Sequence, residues 1–107
     1  MPQYMLQFAY TGQAWAALAA HPVDRSEDIA KVAKKMGGTL VSLHYTMGDY
    51  DGVAVVEAPD DGTAMALAIA TAAPGHLRMG KTTRLFTPAE AVAAMKKAHG
   101  VEFKAPA

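Results

Sequence analysis

The chain has 107 residues, of which ten are basic and ten acidic, so its formal net charge at neutral pH is zero. Such a length suits one domain whose core needs no disulfide bonds or structural metal. The balanced charge argues against nucleic-acid binding, and the lack of cysteine excludes a disulfide framework, a thiolate zinc site and an iron–sulfur cluster.

The first half of the chain is predicted to hold a strand and two helical segments. Gln3–Tyr10 has aromatic side chains at even spacing, which indicates a β-strand. An alanine-rich helical turn around Trp15 follows it. The next helix has Pro22 at its first position and ends at Gly37-Gly38, because glycine commonly terminates helices. Its apolar stripe consists of Ile29, Val32, Ala33 and Met36.

The second half is predicted to hold three strands and two helices, over residues 39–47, 51–58, 61–73, 76–86 and 88–99. Asp60 caps the first of these helices, and Thr87 with Glu90 forms a capping box before the second. The order βαββαβα is typical of an α+β ferredoxin-like sandwich, in which helices cover one face of an antiparallel four-stranded sheet.

The link between the second and third strands predicts their register. Glycine at the first central position of a two-residue loop is the signature of a type II′ turn, which places Gly48-Asp49 at the centre. The pairs across the hairpin are then Met47 with Tyr50, Thr46 with Asp51, Tyr45 with Gly52 and His44 with Val53. We expect Tyr45 to pack over Gly52 on the side of the helices.

This register divides the hairpin into two faces. The face predicted to carry the helices consists of Val41, Leu43, Tyr45, Ala54, Val56 and Ala58. The opposite face consists of Leu40, Ser42, His44, Thr46, Asp51, Val53, Val55 and Glu57. Because apolar side chains lie among its polar groups, we expect the sheet of a second copy to cover this face. The helix over residues 61–73 is apolar all round, which also favours association, although its alanines tolerate exposure.

Segments across the chain resemble one known family. They are Lys35-Met36-Gly37-Gly38, the run Val55-Val56-Glu57-Ala58-Pro59-Asp60, and the hairpin with Gly48, Tyr50 and Asp51. Together they resemble the GYD domain family, whose members are small proteins of the dimeric α/β-barrel type. The resemblance implies this fold over residues 1–100, followed by a tail over residues 101–107. It implies no particular activity, because the family has none established.

Residues 75–82 match the letters of the phosphate-binding P-loop, G-x-x-x-x-G-K-[ST]. A P-loop needs a strand before it and a helix that begins at its lysine. Here an alanine-rich helix precedes the match, and a predicted strand contains it. We therefore interpret the match as a coincidence.

His44 is the best candidate for a chemical group, since a histidine in mid-strand near acidic residues can serve as a general acid or base. No second histidine stands at ligand spacing, so we expect no metal site. Tyr50, Asp51 and Glu57 are the further candidate ligand-binding residues. A purely structural role is the favoured alternative for two of them, with His44 bonded across a dimer interface and Tyr50 packed over the turn. A processed N-terminus would expose the secondary amine of Pro2, as in the tautomerase superfamily.

The sequence supports two functions of different classes. We expect a cytoplasmic homodimer or higher oligomer that binds an apolar or amphipathic small molecule between sheet and helices, with no cofactor. The chain shows no signal-peptide pattern and no apolar run of roughly twenty residues, so we expect no membrane partner. The alternative is a cofactor-independent oxygenase or isomerase that uses His44 with Tyr50 or Asp51. A structural assembly module without any pocket is a third interpretation.

Overall fold

A computed structural model describes residues 1–106 and contains four strands and four helices within that range. Their bounds are β1 Gln3–Tyr10, α1 Gly12–Ala20, α2 Ser26–Lys35, β2 Thr39–Tyr45, β3 Gly52–Glu57, α3 Asp61–Ala72, β4 Leu77–Leu85 and α4 Pro88–Ala98. The predicted order is confirmed, and the alanine-rich turn is a short helix of its own. The predicted start of the second helix was wrong. Asp24 accepts the backbone N–H of Ser26 at 2.8 Å, which fixes the start of α2 beyond Pro22.

The four strands form one antiparallel sheet in the order β2-β3-β1-β4. The central strands β1 and β3 are paired with each other although β2 lies between them in sequence. Residues of α2 and α3 pack on one face of this sheet. This arrangement is the predicted α+β ferredoxin-like fold, in which two split βαβ halves share a sheet.

The helix-packed face has a dense core at one end of the sheet. Tyr4 of β1 lies opposite Val56 of β3, and both are buried. Ala64 and Leu67 of α3 pack against this pair. The partly buried residues around them are Leu6, Val32, Met36 and Leu40. The Tyr4 hydroxyl donates a hydrogen bond to Asp61 Oδ1 at 2.5 Å, which ties β1 to the first turn of α3.

The register of the β2–β3 hairpin is confirmed where the strands pair. The confirmed pairs are Tyr45 with Gly52 and His44 with Val53. The predicted two-residue turn was wrong, because a longer loop over residues 46–51 joins the strands. In that loop the Thr46 hydroxyl donates to the carbonyl of Tyr50 at 2.8 Å. Gly48 has a φ of +116°, a backbone conformation that residues with a side chain rarely adopt.

A β-bulge in β2 corrects the predicted faces near the start of that strand. Leu40 lies opposite Val56 and Ser42 opposite Val55, so Val41 is an extra residue in the ladder. The bulge turns Leu40 toward the helices, where it packs on the core, and it leaves Val41 48% exposed. The prediction placed Val41 on the helix-packed face and Leu40 on the open face, so both assignments were wrong.

The aromatic side chain that covers Gly52 also differs from the prediction. Gly52 lies opposite both Tyr45 of β2 and Phe8 of β1. The ring of Phe8 occupies the space that a side chain at Gly52 would fill. Tyr45 lies beside Phe8 on the same face, with ring centroids 6.3 Å apart in an edge-on arrangement.

Helix α4 is the least packed element of the fold. Thr87 and Glu90 form the predicted capping box at its start. None of its residues is buried, and Met95 is among its exposed apolar side chains.

The radius of gyration is 17.3 Å, compared with about 13 Å for a compact domain of this size. Within residues 1–106, no helix is long and apolar enough to cross a membrane.

Candidate functional site

An open cavity of about 640 Å³ lies on the helix-packed face, between the sheet and helices α2 and α3. Small-molecule sites typically measure roughly 300 to 1,000 Å³. Leu6 and Phe8 of β1 line the cavity on the sheet side, and Ile29 and Val32 of α2 line it on the helix side. The lining residues from α3 include Met65, Leu67, Ala68 and Thr71. Most of this wall is apolar, so it suits the apolar part of a small molecule.

One end of the cavity is polar. Tyr10 is the last residue of β1, His76 immediately precedes β4, and Arg25 immediately precedes α2. All three line the cavity, and the rings of Tyr10 and His76 have centroids 6.1 Å apart. Burial lowers the pKa of His76, and the positive charge of Arg25 lowers it further. The imidazole is therefore neutral at pH 7.

Tyr10 keeps its proton at neutral pH. Its side chain is buried, and burial, together with a hydrogen bond to the Tyr45 hydroxyl, raises the pKa of Tyr10 well above its usual value. The two hydroxyl oxygens are 3.4 Å apart. Tyr10 and His76 thus offer neutral hydrogen-bonding groups, while Arg25 supplies positive charge at this end of the cavity.

Arg25 has an unsatisfied donor. Its Nε atom is buried and has no hydrogen-bond partner within residues 1–106. Asp28 Oδ2 lies 3.5 Å from this nitrogen, which is close enough for an ion pair but outside good hydrogen-bond geometry. Because the Asp28 side chain is 64% exposed, water weakens the ion pair.

Asp51 holds a cluster of aromatic rings beside the polar end. Its Oδ2 accepts hydrogen bonds from the backbone N–H of Tyr10 at 2.8 Å and from Trp15 Nε1 at 3.1 Å. The Trp15 ring meets the Tyr10 ring edge-on, with centroids 5.1 Å apart, and lies 6.4 Å from that of Tyr45. The Asp51 carboxylate is therefore engaged with β1 and α1, whereas the enzyme hypothesis pairs it with His44.

The other predicted site residues lie apart from one another. His44 is exposed and lies opposite Val53, on the face of the sheet away from α2 and α3. Glu57 is half-buried on that same face, and Tyr50 is half-buried in the 46–51 loop. As far as residues 1–106 are concerned, none of the four predicted site residues lines the cavity, and no three acidic or histidine side chains are arranged to hold a metal ion.

Sequence reasoning missed the three residues of the polar end. Arg25 did leave a signal, because it stands four residues before Ile29 and therefore continues the apolar stripe of α2. A charged residue in line with such a stripe is placed to meet the core. Tyr10 and His76 left none, since their meeting depends on how β1 pairs with β4.

The P-loop match is a coincidence, as the sequence predicts. Lys81 and Thr82 lie within β4, opposite Gln7 and Leu6 of β1. No helix begins at this lysine, so the backbone here belongs to the sheet and is not arranged to bind phosphate.

The sheet order and the one-sided helix layer place the chain among the ferredoxin-like α+β proteins. A family model, the GYD domain, matches residues 4–95. The chain belongs to the GYD domain family. No curated protein matches it significantly.

Several solved structures share the fold. MtbAldR matches with a TM-score of 0.59 and 13% identity, over 80% of this chain and 53% of its own. TTHA0845 from Thermus thermophilus matches with a TM-score of 0.53 and 14% identity, over 81% of this chain and 95% of its own. An AsnC family transcriptional regulator from Agrobacterium tumefaciens matches with a TM-score of 0.53 and 14% identity, over 80% of this chain and 50% of its own. The chain thus spans about half the length of MtbAldR and of the AsnC family regulator.

Proposed function

We propose that this protein is a small homo-oligomeric binding protein that holds an apolar or amphipathic small molecule between its sheet and helices. The cavity on the helix-packed face carries this function, because it combines the volume of a small-molecule site with mostly apolar walls. Met65 at the cavity is exposed, and its flexible thioether chain would adapt to ligands of different shape.

Self-association is supported by apolar side chains that a single chain leaves uncovered. Val92 and Met95 lie on one side of α4, and both are exposed. In the tail, Phe103 is 92% exposed. Val53 and Val55 lie on the face of the sheet opposite the core and are only half-buried. A second sheet over that face would form a dimeric α/β barrel and shield the valines.

Nucleic acid and membranes are not among the proposed partners. One neighbour of similar fold is a transcriptional regulator, but this chain spans half of its length. The formal charge of this chain is zero, so it lacks the basic surplus that neutralises phosphates.

The alternative, a cofactor-independent oxygenase or isomerase that uses His44 with Tyr50 or Asp51, has weaker support. The carboxylate of Asp51 is bound by Tyr10 and Trp15, and His44 lies on the opposite face of the sheet from the cavity. A catalytic residue must reach the substrate, and His44 does not reach this site.

Native mass spectrometry of the purified protein tests both parts of the proposed function. We expect a dimer or larger assembly and an added mass that is lost on denaturation. Ala68→Phe, which fills the cavity, should abolish the added mass. Ala66→Phe, on the exposed side of α3, is the matched control and should retain it. A monomer at micromolar concentration would contradict the proposed self-association. Equal ligand retention by the two variants would contradict the cavity as the binding site.

A further inference from the structure

We propose that the ligand of this cavity has an apolar body ending in a single carboxylate, and that Arg25 binds the carboxylate. This ligand class rests on the proposed function, because it specifies the molecule held by the same cavity. The geometry places Arg25, Tyr10 and His76 at one end of an otherwise mostly apolar wall.

Arg25 has the donor that such a ligand would satisfy. Its buried Nε has no hydrogen-bond partner within the described residues, and a buried unsatisfied donor is rare in native proteins. The guanidinium group is a planar fork with five N–H donors, a shape that matches the two oxygens of a carboxylate. Asp28 approaches Nε at 3.5 Å and leaves the other guanidinium donors for a ligand.

The neighbours of Arg25 complete a carboxylate site. A carboxylate accepts about four hydrogen bonds. The Tyr10 hydroxyl and the neutral His76 imidazole line the same end of the cavity and are both able to donate one. Beyond them lie Leu6 and Val32, which offer only apolar contacts.

The positive charge at this end of the cavity suits a ligand that carries a single negative charge. Arg78 and Lys81 of β4 also line the cavity, but the charge that lowers the pKa of His76 at the polar end is that of Arg25. Arg78 donates through Nη2 to the carbonyl of Asp49 at 3.4 Å. Arg25 is the cation beside Tyr10 and His76, and Asp28 already compensates part of its charge. A doubly charged phosphate monoester would leave excess negative charge in a partly enclosed site, which is costly.

Isothermal titration calorimetry with decanoate and decan-1-ol tests this assignment, since the two probes share a chain length and differ in the charge of the head group. We expect both to bind the wild-type protein, with decanoate about tenfold tighter. Arg25→Gln should remove this advantage and leave decan-1-ol binding unchanged. Lys96→Gln is the matched control, a basic residue of α4 that does not line the cavity, and should change neither affinity.

Each other outcome has a distinct meaning. Equal affinity of the wild-type protein for the two probes would overturn the carboxylate assignment and leave the cavity function standing. Failure of both probes to bind would overturn the proposed function itself. Tighter binding of decyl phosphate than of decanoate would overturn the inference that the ligand carries a single negative charge. If Arg25→Gln does not fold, Arg25→Lys is measured instead, because lysine keeps the positive charge but lacks the planar guanidinium group. An undiminished preference for decanoate in that variant would overturn the role of the guanidinium group.

Discussion

The ring of Phe8 lies over the backbone of Gly52 on the neighbouring strand, in the space that a side chain at position 52 would occupy. Phe8 also lines the cavity, so the glycine determines where the cavity wall on the sheet side lies. Tyr45 packs against the same ring in a T-shaped arrangement. Because Gly52 has no side chain, Phe8 can pack over the hairpin and line the proposed ligand site at the same time.

Gly52→Ala is expected to destabilise the protein by about 1–3 kcal/mol, because the added methyl group forces the Phe8 ring out of its position. The free energy of urea unfolding measures this loss. Phe8→Leu in the same chain should recover part of it, since the smaller side chain leaves room for the methyl group. Gly12→Ala is the control, because nothing lies within 4 Å of a β-carbon there. Equal stability of the two alanine variants would contradict the close packing.

Local sequence determines the features of the fold that were predicted correctly. The Asp60 and Thr87 caps depend on residues within one turn of helix, and both form as expected. The bulge at Val41 was not predictable in this way, because Leu40 packs on a core cluster that includes Tyr4 and Leu67, both distant in sequence. The polar end of the cavity was missed for the same reason. The candidate residues derived from the hairpin were chosen within one local segment, whereas the cavity is assembled from both halves of the chain.

Gly48→Val is expected to cost about 1–3 kcal/mol of unfolding free energy, because a β-branched residue resists the φ of +116° found at this position. Met47→Val places the same side chain on the neighbouring residue, which is almost fully exposed and has a negative φ. That control should remain within about 0.5 kcal/mol of the wild type. Chemical unfolding compares them, and equal stabilities would mean that the loop adopts another conformation in solution.

Asp51→Ala is expected to loosen the aromatic cluster and destabilise the protein by about 1–3 kcal/mol, because the N–H groups of Tyr10 and Trp15 lose their shared acceptor. Trp15 is the only tryptophan of the chain, so its fluorescence reports on this change directly. We expect a shift of its emission to longer wavelength. Asp49→Ala is the control, since Asp49 contributes a backbone carbonyl that the substitution keeps. An unchanged spectrum in Asp51→Ala would contradict the contact.

Stability is expected to fall on mild acidification through His76. The pKa of this imidazole is lowered in the folded protein from an ordinary value of 6.5, so the unfolded chain binds more protons as pH decreases. The contribution is complete above pH 6.5 and is lost as pH falls through the folded pKa. Urea midpoints measured between pH 7.5 and pH 5.5 test this, with a shallower dependence expected for His76→Gln. His99→Gln, at the exposed end of α4, should reproduce the wild-type dependence.

Val55→Glu is expected to weaken self-association at least about tenfold, because a second copy covering the open face of the sheet would bury the new carboxylate without a partner. His44→Ala on the same face should weaken association less and leave the unfolding free energy within about 0.5 kcal/mol, since His44 is exposed in the single chain. Sedimentation velocity over a range of concentrations measures both effects. Ala66→Glu, on the exposed side of α3, provides a matched new charge away from that face. If Val55→Glu associates as strongly as Ala66→Glu, the open face of the sheet is not the interface.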